Sequence, residues 1–408
     1  MLECWQFDNV VYGDLMKSDD ERVAIVGVGH SKFGKRLDVS MNELGWEAIK
    51  PALQDAGIVQ KDIDFYSVGN FGYWSEEILP AVTIGEYAGL ACGSLKTEAA
   101  CASGSASLKI AMDSILSGTA KIAMAMGIEK MYNSPNGTII ELIGRAGNYF
   151  WEFENFGMTF PGYYALYATK YLAAYNAREE DLCEAAVKAH HYGSLNPYAQ
   201  FQKETTVEEC MKSKYVSRPL KLMDSSPITD GAAAVILARG DIAKKMTDTP
   251  IYIESQGTAT GTAYIGRRDE YTGLEASRRA ADIAFRGAGL DGVGSNFDLF
   301  EVHDCFTIAE VMAYEDIGIA KKGEGIKLLK EKQTYRDGKY PANLDGGLKS
   351  KGHPIGATGI SQAVEITKQL RGDAGKGRQA DIKRGRALQH NVGGTGHYAY
   401  VTIYSRGD

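Results

Sequence analysis

Residues 22–29, RVAIVGVG, form an apolar run that reads as a buried strand. From Asn42 to Ala56 the spacing becomes helical, with Leu44, Ala48, Leu53 and Ala56 apolar and Gly57 as the stop. The next segment, IDFYSVGNF, predicts a second strand. Much later the order recurs: IYIESQGTATG predicts a strand, LEASRRAADIAFRGAGL a helix that again ends in Ala-Gly-aliphatic, and NFDLFEVHDCF a strand. The stretches ALQDAGIVQKDIDFYSVGNF and AFRGAGLDGVGSNFDLFEVHDCF share this helix stop and acidic-aromatic strand, which implies an internal duplication offset by about 230 residues. Strands alternating with helices of about 10–15 residues imply two α/β halves with mainly parallel central sheets covered by helices.

Between the halves, residues 121–250 exceed what one crossover needs and include NYFWEFENFGMTFPGYYALYATKYLAAYNA. This reads as an insertion over the active face. Its aromatics either contact a ligand or form the core of a helical subdomain.

At 408 residues the chain can bury a substantial core, as one large unit or two domains. Its 44% hydrophobic content and ten prolines describe a folded protein without a low-complexity tail. The formal charge of −7, with basic residues scattered among acidic ones, lacks the footprint of a nucleic-acid binder. No apolar run reaches about 18–20 residues, and the start MLECWQFDNVVYGDLMKSDDER has no basic stretch followed by an apolar one. The expectation is a cytoplasmic protein without a membrane span. Cys4, Cys92, Cys101, Cys183, Cys210 and Cys305 show neither zinc-ligand spacing nor the density of a disulfide scaffold, so most are expected to be free thiols.

Four places can carry chemistry. Cys101, in EAACASGSASLKIAMDSIL, sits among tiny residues just ahead of a helix-forming run. It is either a small core residue or a nucleophile whose pKa the helix N-terminus lowers from about 8.5. His353 lies in the Gly/Pro loop of KGHPIGATGISQAVEITKQL, where glycines permit close backbone approach to a ligand; it is the best candidate for a base. In FEVHDCFTIAE the strand from Phe297 to Val302 ends in His303, Asp304 and Cys305, and the carboxyl end of such a strand is where ligands usually bind. The glycines of LQHNVGGTGHYAYVTIY either offer a backbone N–H to an oxyanion or form a tight turn.

Together these stretches resemble the thiolase superfamily from about Val23 to Tyr404, and MDSSPITDGAAAVIL (Met223 to Leu237) matches as well. Members carry a nucleophilic Cys in a small-residue loop, a Gly-His-Pro-x-Gly-x-x-Gly loop and a C-terminal Cys-x-Gly. Here HDCF stands where many have Asn-Glu-Ala-Phe, and NVG where they have Cys-x-Gly. Sterol-carrier-type and archaeal-type thiolases share the HDCF form, and the resemblance implies that Cys305 replaces the thiol missing at Asn391. The implied fold is α/β, a duplicated five-layered αβαβα arrangement. Residues 22–250 are the expected first half, with a loop domain inserted at about 121–220, and residues 251–408 the second. Residues 1–21 are an extension left unassigned.

The resemblance also implies a mechanism. His353 takes the proton of Cys101, which attacks a 3-oxoacyl-CoA, while the backbone N–H groups of Cys101 and Gly393 stabilise the alkoxide. His353 and a water on His303 hold the departing enolate. Cys305 protonates it and then deprotonates CoA, so one thiol serves as acid and base; a part for His390 in proton transfer stays open. Arg145, Asn391 and Phe306 are expected at the substrate. No metal or permanent cofactor is expected, CoA and acyl-CoA being substrates. The aromatics from Tyr149 to Tyr175, with Arg145 facing a second carboxylate, suggest benzoylsuccinyl-CoA of anaerobic toluene breakdown, giving benzoyl-CoA and succinyl-CoA; acetoacetyl-CoA is the alternative. Implied partners are a second copy of the chain, docked through first-half sheets, and a small zinc-ribbon/OB-fold protein. A ketoacyl synthase has no need of Cys305, and a non-catalytic thiolase-like subunit would lack some of the four reactive groups.

Overall fold

Strand β1 (Val23–His30) carries apolar side chains on both faces. Val23, Ile25 and Val28 join one hydrophobic cluster and Ala24 and Val26 another, as expected of a strand covered on both sides. A bulge between Ile25 and Gly27 shifts the register against the neighbouring strand and returns Val28 to the first face. Gly27 and Gly29 then lie against α1 (Met41–Ala56), where a Cβ would strike the carbonyl oxygens of Ala52 and Ala48. Gly257, on β8 (Ile251–Thr260), meets Ala280 and Ala284 of α9 (Glu275–Gly287) in the same way. This close strand–helix contact is therefore made twice, once in each half.

The computed structural model describes residues 18–75 and 77–407; most of the expected 1–21 extension, and Cys4, lie outside them. After α1 the first half continues through β2 (Phe65–Gly69), α2 (Pro80–Ala88), β3 (Gly93–Thr97), α3 (Ser103–Leu116) and β4 (Ile122–Glu129). An excursion follows, with helices α4 (Asn136–Gly144), α5 (Phe160–Ala174), α6 (Glu179–Ser194) and α7 (Val207–Lys212) and a hairpin of β5 (Tyr215–Ser217) and β6 (Leu220–Lys221). The chain re-enters the sheet at β7 (Gly231–Arg239) and passes through α8 (Gly240–Met246). Beyond α9 the second half contains β9 (Leu299–Glu301), α10 (Thr307–Asp316), α11 (Gly325–Lys330), α12 (Thr358–Arg371), β10 (Arg386–Gly393) and β11 (Tyr398–Arg406).

The strands lie in the order β3-β2-β4-β7-β1-β8-β11-β10-β9. Outward from the β1/β8 junction, β1-β7-β4-β2 on one side mirrors β8-β11-β10-β9 on the other, so the duplication is visible strand by strand. The pairing is mixed rather than mainly parallel as expected. Parallel pairs are β2/β3, β2/β4 and β9/β10, whereas β1/β7, β4/β7, β8/β11, β10/β11 and β1/β8 are antiparallel. In the second half the cause is local: the turn from Gly393 to Tyr398 is too short for the crossover that a parallel pair requires. β4 is a sheet strand, so the excursion begins after Glu129 rather than at residue 121.

Helix α12 packs against β1, β4 and β7 on one side and β9, β10 and β11 on the other, with α3 beside it. Helices α1 and α2 cover the outer face of the first half, and α9 with α10 that of the second, which gives the expected αβαβα layering. A helix between two sheets has no solvent face, so the polar side chains of α12 find partners inside. Gln362 donates to the His390 carbonyl at 3.2 Å, and Glu365 accepts from Arg378 at 2.8 Å. Among the described residues no helix is long and apolar enough to cross a membrane.

The aromatic stretch divides. Tyr163, Tyr164, Tyr167 and Tyr171 of α5 are fully buried in the cluster of the second half, whereas Tyr149, Phe150, Trp151 and Phe156 are exposed. One pair departs from the free-thiol majority: the packing of α7 on α6 brings Cys183 and Cys210, 27 residues apart, into a disulfide. Among the described residues Cys92, Cys101 and Cys305 are free.

Candidate active site

Between β3 and α3 the chain turns sharply through Ala100, whose φ of 50° is left-handed, a conformation that costs a residue with a Cβ about 1–2 kcal/mol. Local bonds hold the turn. The Ser103 hydroxyl accepts from the Ala99 N–H at 2.9 Å and donates to the Ala100 carbonyl at 2.6 Å, while the Ala100 N–H meets the Glu98 carboxylate. The turn places Cys101 in the interior, 5% exposed, two residues before the helix begins.

The expected lowering of the Cys101 pKa is not found. Burial pushes the thiol up to about 12, and its own N–H and that of Gly394, which face the sulfur, offset this only in part. The charges acting on it are the carboxylates Glu129 and Glu98, which raise it further. From the second half, the N–H that faces the resting sulfur is that of Gly394, next to the expected Gly393. Gly393 itself has no room for a side chain, because a Cβ would overlap the Ala99 carbonyl.

His353 is buried and held at two points. Its backbone N–H donates to Thr229 Oγ1 at 3.0 Å, and its Nδ1 lies 2.7 Å from Thr358 Oγ1. The Thr358 hydroxyl gives its own proton to the Pro354 carbonyl at 3.2 Å, so it accepts from Nδ1–H. The proton of His353 therefore sits on Nδ1 and Nε2 carries a lone pair. That Nε2 is buried without a hydrogen-bond partner. Burial lowers the pKa to about 3, so the resting ring is a neutral base. Glu129, at the end of β4, braces this loop: it accepts from the N–H groups of Phe71, Gly72 and Gly356 and from the Asn70 amide, at 2.9–3.1 Å. Burial nevertheless pushes its carboxyl up to about 7.

His303 follows β9, where the Asn343 side chain pairs with Val302 as a strand would, accepting at 2.8 Å and donating at 3.1 Å. Asn391 Nδ2 lies 3.1 Å from His303 Nδ1 and 3.2 Å from the Cys101 carbonyl, and its Oδ1 accepts from Ser105 at 2.8 Å. The amide is the donor to Nδ1, so His303 carries its proton on Nε2, the opposite tautomer to His353. Asn391, expected at the substrate, holds His303 and the nucleophile's loop. Burial, then the fields of His353 and His390, keep His303 neutral by lowering its pKa.

The fold brings Cys101, His303 and His353 together, with sulfur and ring nitrogens within 4.8 Å of one another. The two imidazoles meet edge to face at 5.2 Å, and both Nε2 atoms lack a partner. Cys305, 4% exposed, joins them. Its thiol pKa is raised by burial and by the neighbouring Cys101, against a small opposing pull from the Tyr164 hydroxyl and the Phe306 N–H. Phe306, expected at the substrate, stacks on Tyr164 with ring centres 4.5 Å apart. Asp304 turns away from the thiols, and its carboxylate accepts the Leu348 N–H at 2.7 Å. His390 points to the opposite side of β10 from Asn391 and bonds Ser277 on α9 at 2.8 Å. Arg145 is outside the cluster: it pairs with Glu141 and lies over the rings of Tyr149 and Phe153. It does line a pocket of about 400 Å³ beside Ala100, with Phe71, Leu142 and Tyr398.

Tyr164, Glu129 and Thr358 went unmarked in the sequence. Tyr164 was one aromatic among many and Glu129 a charge at a strand end. Thr358 could have been found, because in a helix start it lies one turn from His353.

The family description "Thiolase, N-terminal domain" matches residues 23–241, and "Thiolase C-terminal domain-like" matches 257–406. An acetyl-CoA acetyltransferase of Methanothermobacter thermautotrophicus is 42% identical over 387 residues, covering 94% of this chain and 99% of the relative. Benzoylsuccinyl-CoA thiolase subunit BbsB of Thauera aromatica is 32% identical over 92% of this chain and 95% of its own. A solved structure titled "Ltp2-ChsH2(DUF35) aldolase" shares the fold, with a TM-score of 0.80 at 21% identity over 94% of this chain and 97% of that one.

Proposed function

The chain belongs to the thiolase family, and from that premise we propose that it interconverts acetoacetyl-CoA plus CoA with two molecules of acetyl-CoA through an acyl group on Cys101. As a thiolase it is an acyltransferase whose substrates are CoA and acyl-CoA. The observation that carries the proposed mechanism is the pair of opposed imidazoles: a lone pair on His353 Nε2 and a proton on His303 Nε2, both without partners, beside two thiols.

In the cleaving direction His353 Nε2 takes the proton of Cys101 as the sulfur attacks the 3-keto carbon. Burial disfavours both the thiolate and the imidazolium, so the neutral pair is the resting state and His353 takes the proton as the thiol is engaged by substrate. Backbone N–H groups of Cys101 and of the Gly393–Gly394 turn stabilise the developing alkoxide, a reading supported by the N–H groups of Cys101 and Gly394 that face the resting sulfur. The carbon–carbon bond breaks with its electron pair moving into a thioester enolate, whose oxygen accepts from His303 Nε2–H. Cys305 gives its proton to the enolate carbon and releases acetyl-CoA. The Cys305 thiolate then takes the proton of CoA, whose sulfur attacks the acyl carbon and expels the Cys101 thiolate, which takes its proton back from His353. Condensation is the same path reversed.

A small acyl group suits the site: Tyr163, Tyr167 and Tyr171 are core residues, and the Tyr164–Phe306 stack closes the wall at Cys305. A bulkier group is the second reading, favoured by the pocket that Phe71, Tyr398 and Arg145 form next to Ala100. Cleavage rates with the two substrates decide between them. Acetoacetyl-CoA should have much the larger kcat/KM, and faster cleavage of benzoylsuccinyl-CoA would move the assignment to the second reading. The proposal includes a cytoplasmic homodimer formed through β3, the edge strand of the sheet, where Leu95 is exposed. It also includes a small second protein, supported by the pairing of Ltp2 with ChsH2(DUF35) in the solved relative and the naming of BbsB as a subunit. Purification of the tagged chain from its native cell tests both associations.

A further inference from the structure

Helix α5 buries four tyrosines completely, at positions 163, 164, 167 and 171. Three of their hydroxyls have oxygen partners: Tyr163 donates to Glu152, Tyr167 to the Thr395 carbonyl and Tyr171 to Glu315. Tyr164 is the exception. Its hydroxyl is buried and makes no hydrogen bond of ordinary geometry, a costly state for a polar group unless something in front of it gives it work. The polar group in front of it is the Cys305 thiol. The ring cannot swing away, since it is stacked on Phe306 at 4.5 Å and 22° and flanked by Tyr167 and Phe160. Phe306 follows Cys305 in the chain and leads into α10, so the same stack fixes thiol and hydroxyl together.

We propose that Tyr164 is a positioning residue for Cys305, its O–H closing on the sulfur when the thiol gives up its proton and releasing it when the proton returns. A neutral thiol is a weak acceptor and a thiolate a strong one, so the bond forms in the half of the cycle that needs it. Other groups around the thiol work against its ionisation. Cys101 from the loop before α3 and Asp304 from its own loop both raise its pKa, as does burial. The Lys349 ammonium also lies within reach of the thiol's field, but it donates to the Ser225 carbonyl at 2.6 Å and is surrounded by Asp224, Asp304 and Glu310. His303 and His353 are neutral. Beside this more distant, shared ammonium, the hydroxyl of Tyr164 and the Phe306 N–H favour the thiolate by direct contact. The inference rests on the proposed acid/base role of Cys305 for its effect on turnover, though not for the contact itself.

Tyr164→Phe keeps the ring and its stack while removing the O–H. The test is the rate of alkylation of Cys305 by iodoacetamide between about pH 7 and 10, read by peptide mass spectrometry beside steady-state kinetics. Loss of a charge-assisted bond is expected to slow Cys305 alkylation about tenfold or more at a given pH and lower kcat by a similar factor, with KM and alkylation of Cys101 unchanged. Replacing Tyr164 by 3,5-difluorotyrosine, a stronger donor of the same shape, should speed Cys305 alkylation, and this arm stands even if the Phe variant folds poorly. Wild-type Cys305 alkylation in both variants overturns the proposal. Slowed alkylation with undiminished turnover upholds the contact and removes Cys305 from the proposed cycle instead.

Discussion

Thr358→Val tests whether the tautomer of His353 is what makes it a base. Valine nearly matches threonine in shape, so the packing of α12 at this 2% exposed site is kept while the acceptor of the 2.7 Å bond from Nδ1 is lost. Removing that bond forfeits about 1 kcal/mol, and an Nδ1–H left buried without an acceptor costs about 1–3 kcal/mol. The ring lowers this cost by moving its proton to Nε2, where the nearby Cys101 sulfur is a weak acceptor, and Nε2 is the atom that has to receive the proton of Cys101. At about 1.4 kcal/mol per factor of ten, the productive tautomer falls about 10–100-fold, and kcat with it. Initial rates of acetoacetyl-CoA cleavage, followed by loss of its absorbance in the presence of saturating CoA, measure this directly. Thr358→Ser restores the acceptor and should recover most of the rate, which separates the tautomer effect from a general loss of packing. Wild-type kcat in folded Thr358→Val protein would refute the assignment of His353 Nε2 as base.

Three further outcomes follow from the same geometry. Cys305→Ala should lower turnover about 10²–10⁴-fold, the usual worth of a positioned proton-transfer group, while its melting temperature reflects only about 1 kcal/mol of lost packing; near-normal turnover would exclude the thiol from the cycle. Cys101 should be alkylated by iodoacetamide about ten times faster for each pH unit between about 7 and 10, because a thiol raised to about 12 is still ionising across that range, and a plateau by pH 8 would contradict the burial argument. Glu129 holds its proton more tightly folded, at about 7, than unfolded, at 4.5. Its contribution is therefore fully present below pH 4.5 and lost as pH rises through about 7. Urea midpoints should accordingly depend less steeply on pH between about 5 and 7 in Glu129→Gln than in the parent, and identical slopes would show that the carboxyl is not perturbed.

Local pattern made part of this structure readable in advance. The apolar run of β1, the helical face of α1 and its Gly57 stop each depend on neighbours a few residues away, as do their repeats in β8 and α9. The direction of pairing does not. β7 returns antiparallel after an excursion of about a hundred residues, and nothing in its alanine-rich sequence records which neighbour it will meet or which way it will run. The site divides along the same line. Cys101, His353 and the His303–Cys305 loop carry local signatures, small residues or a Gly/Pro frame around one reactive side chain. Asn391 took its expected role from position in a motif, whereas its actual contacts, Ser105, His303 and the Cys101 carbonyl, come from three separate segments. The acidity of Cys101 was misjudged for a related reason: proximity to a helix start is visible in sequence, while complete burial without a cation is a property of the assembled layers. The Cys183–Cys210 pair likewise exists only once α7 lies on α6.

The central claim is that the acyl group passes through Cys101, and the most direct measurement is to stop the cycle there. Wild-type protein mixed with acetoacetyl-CoA and no free CoA can cleave once but cannot discharge. Quenched in acid and digested, it should yield the peptide containing Cys101 with an acetyl group on its sulfur, together with one acetyl-CoA released per site, and added CoA should remove the label. Acetyl found on Cys305, or acetyl-CoA formed over repeated turnovers with Cys101 unmodified, would contradict the account.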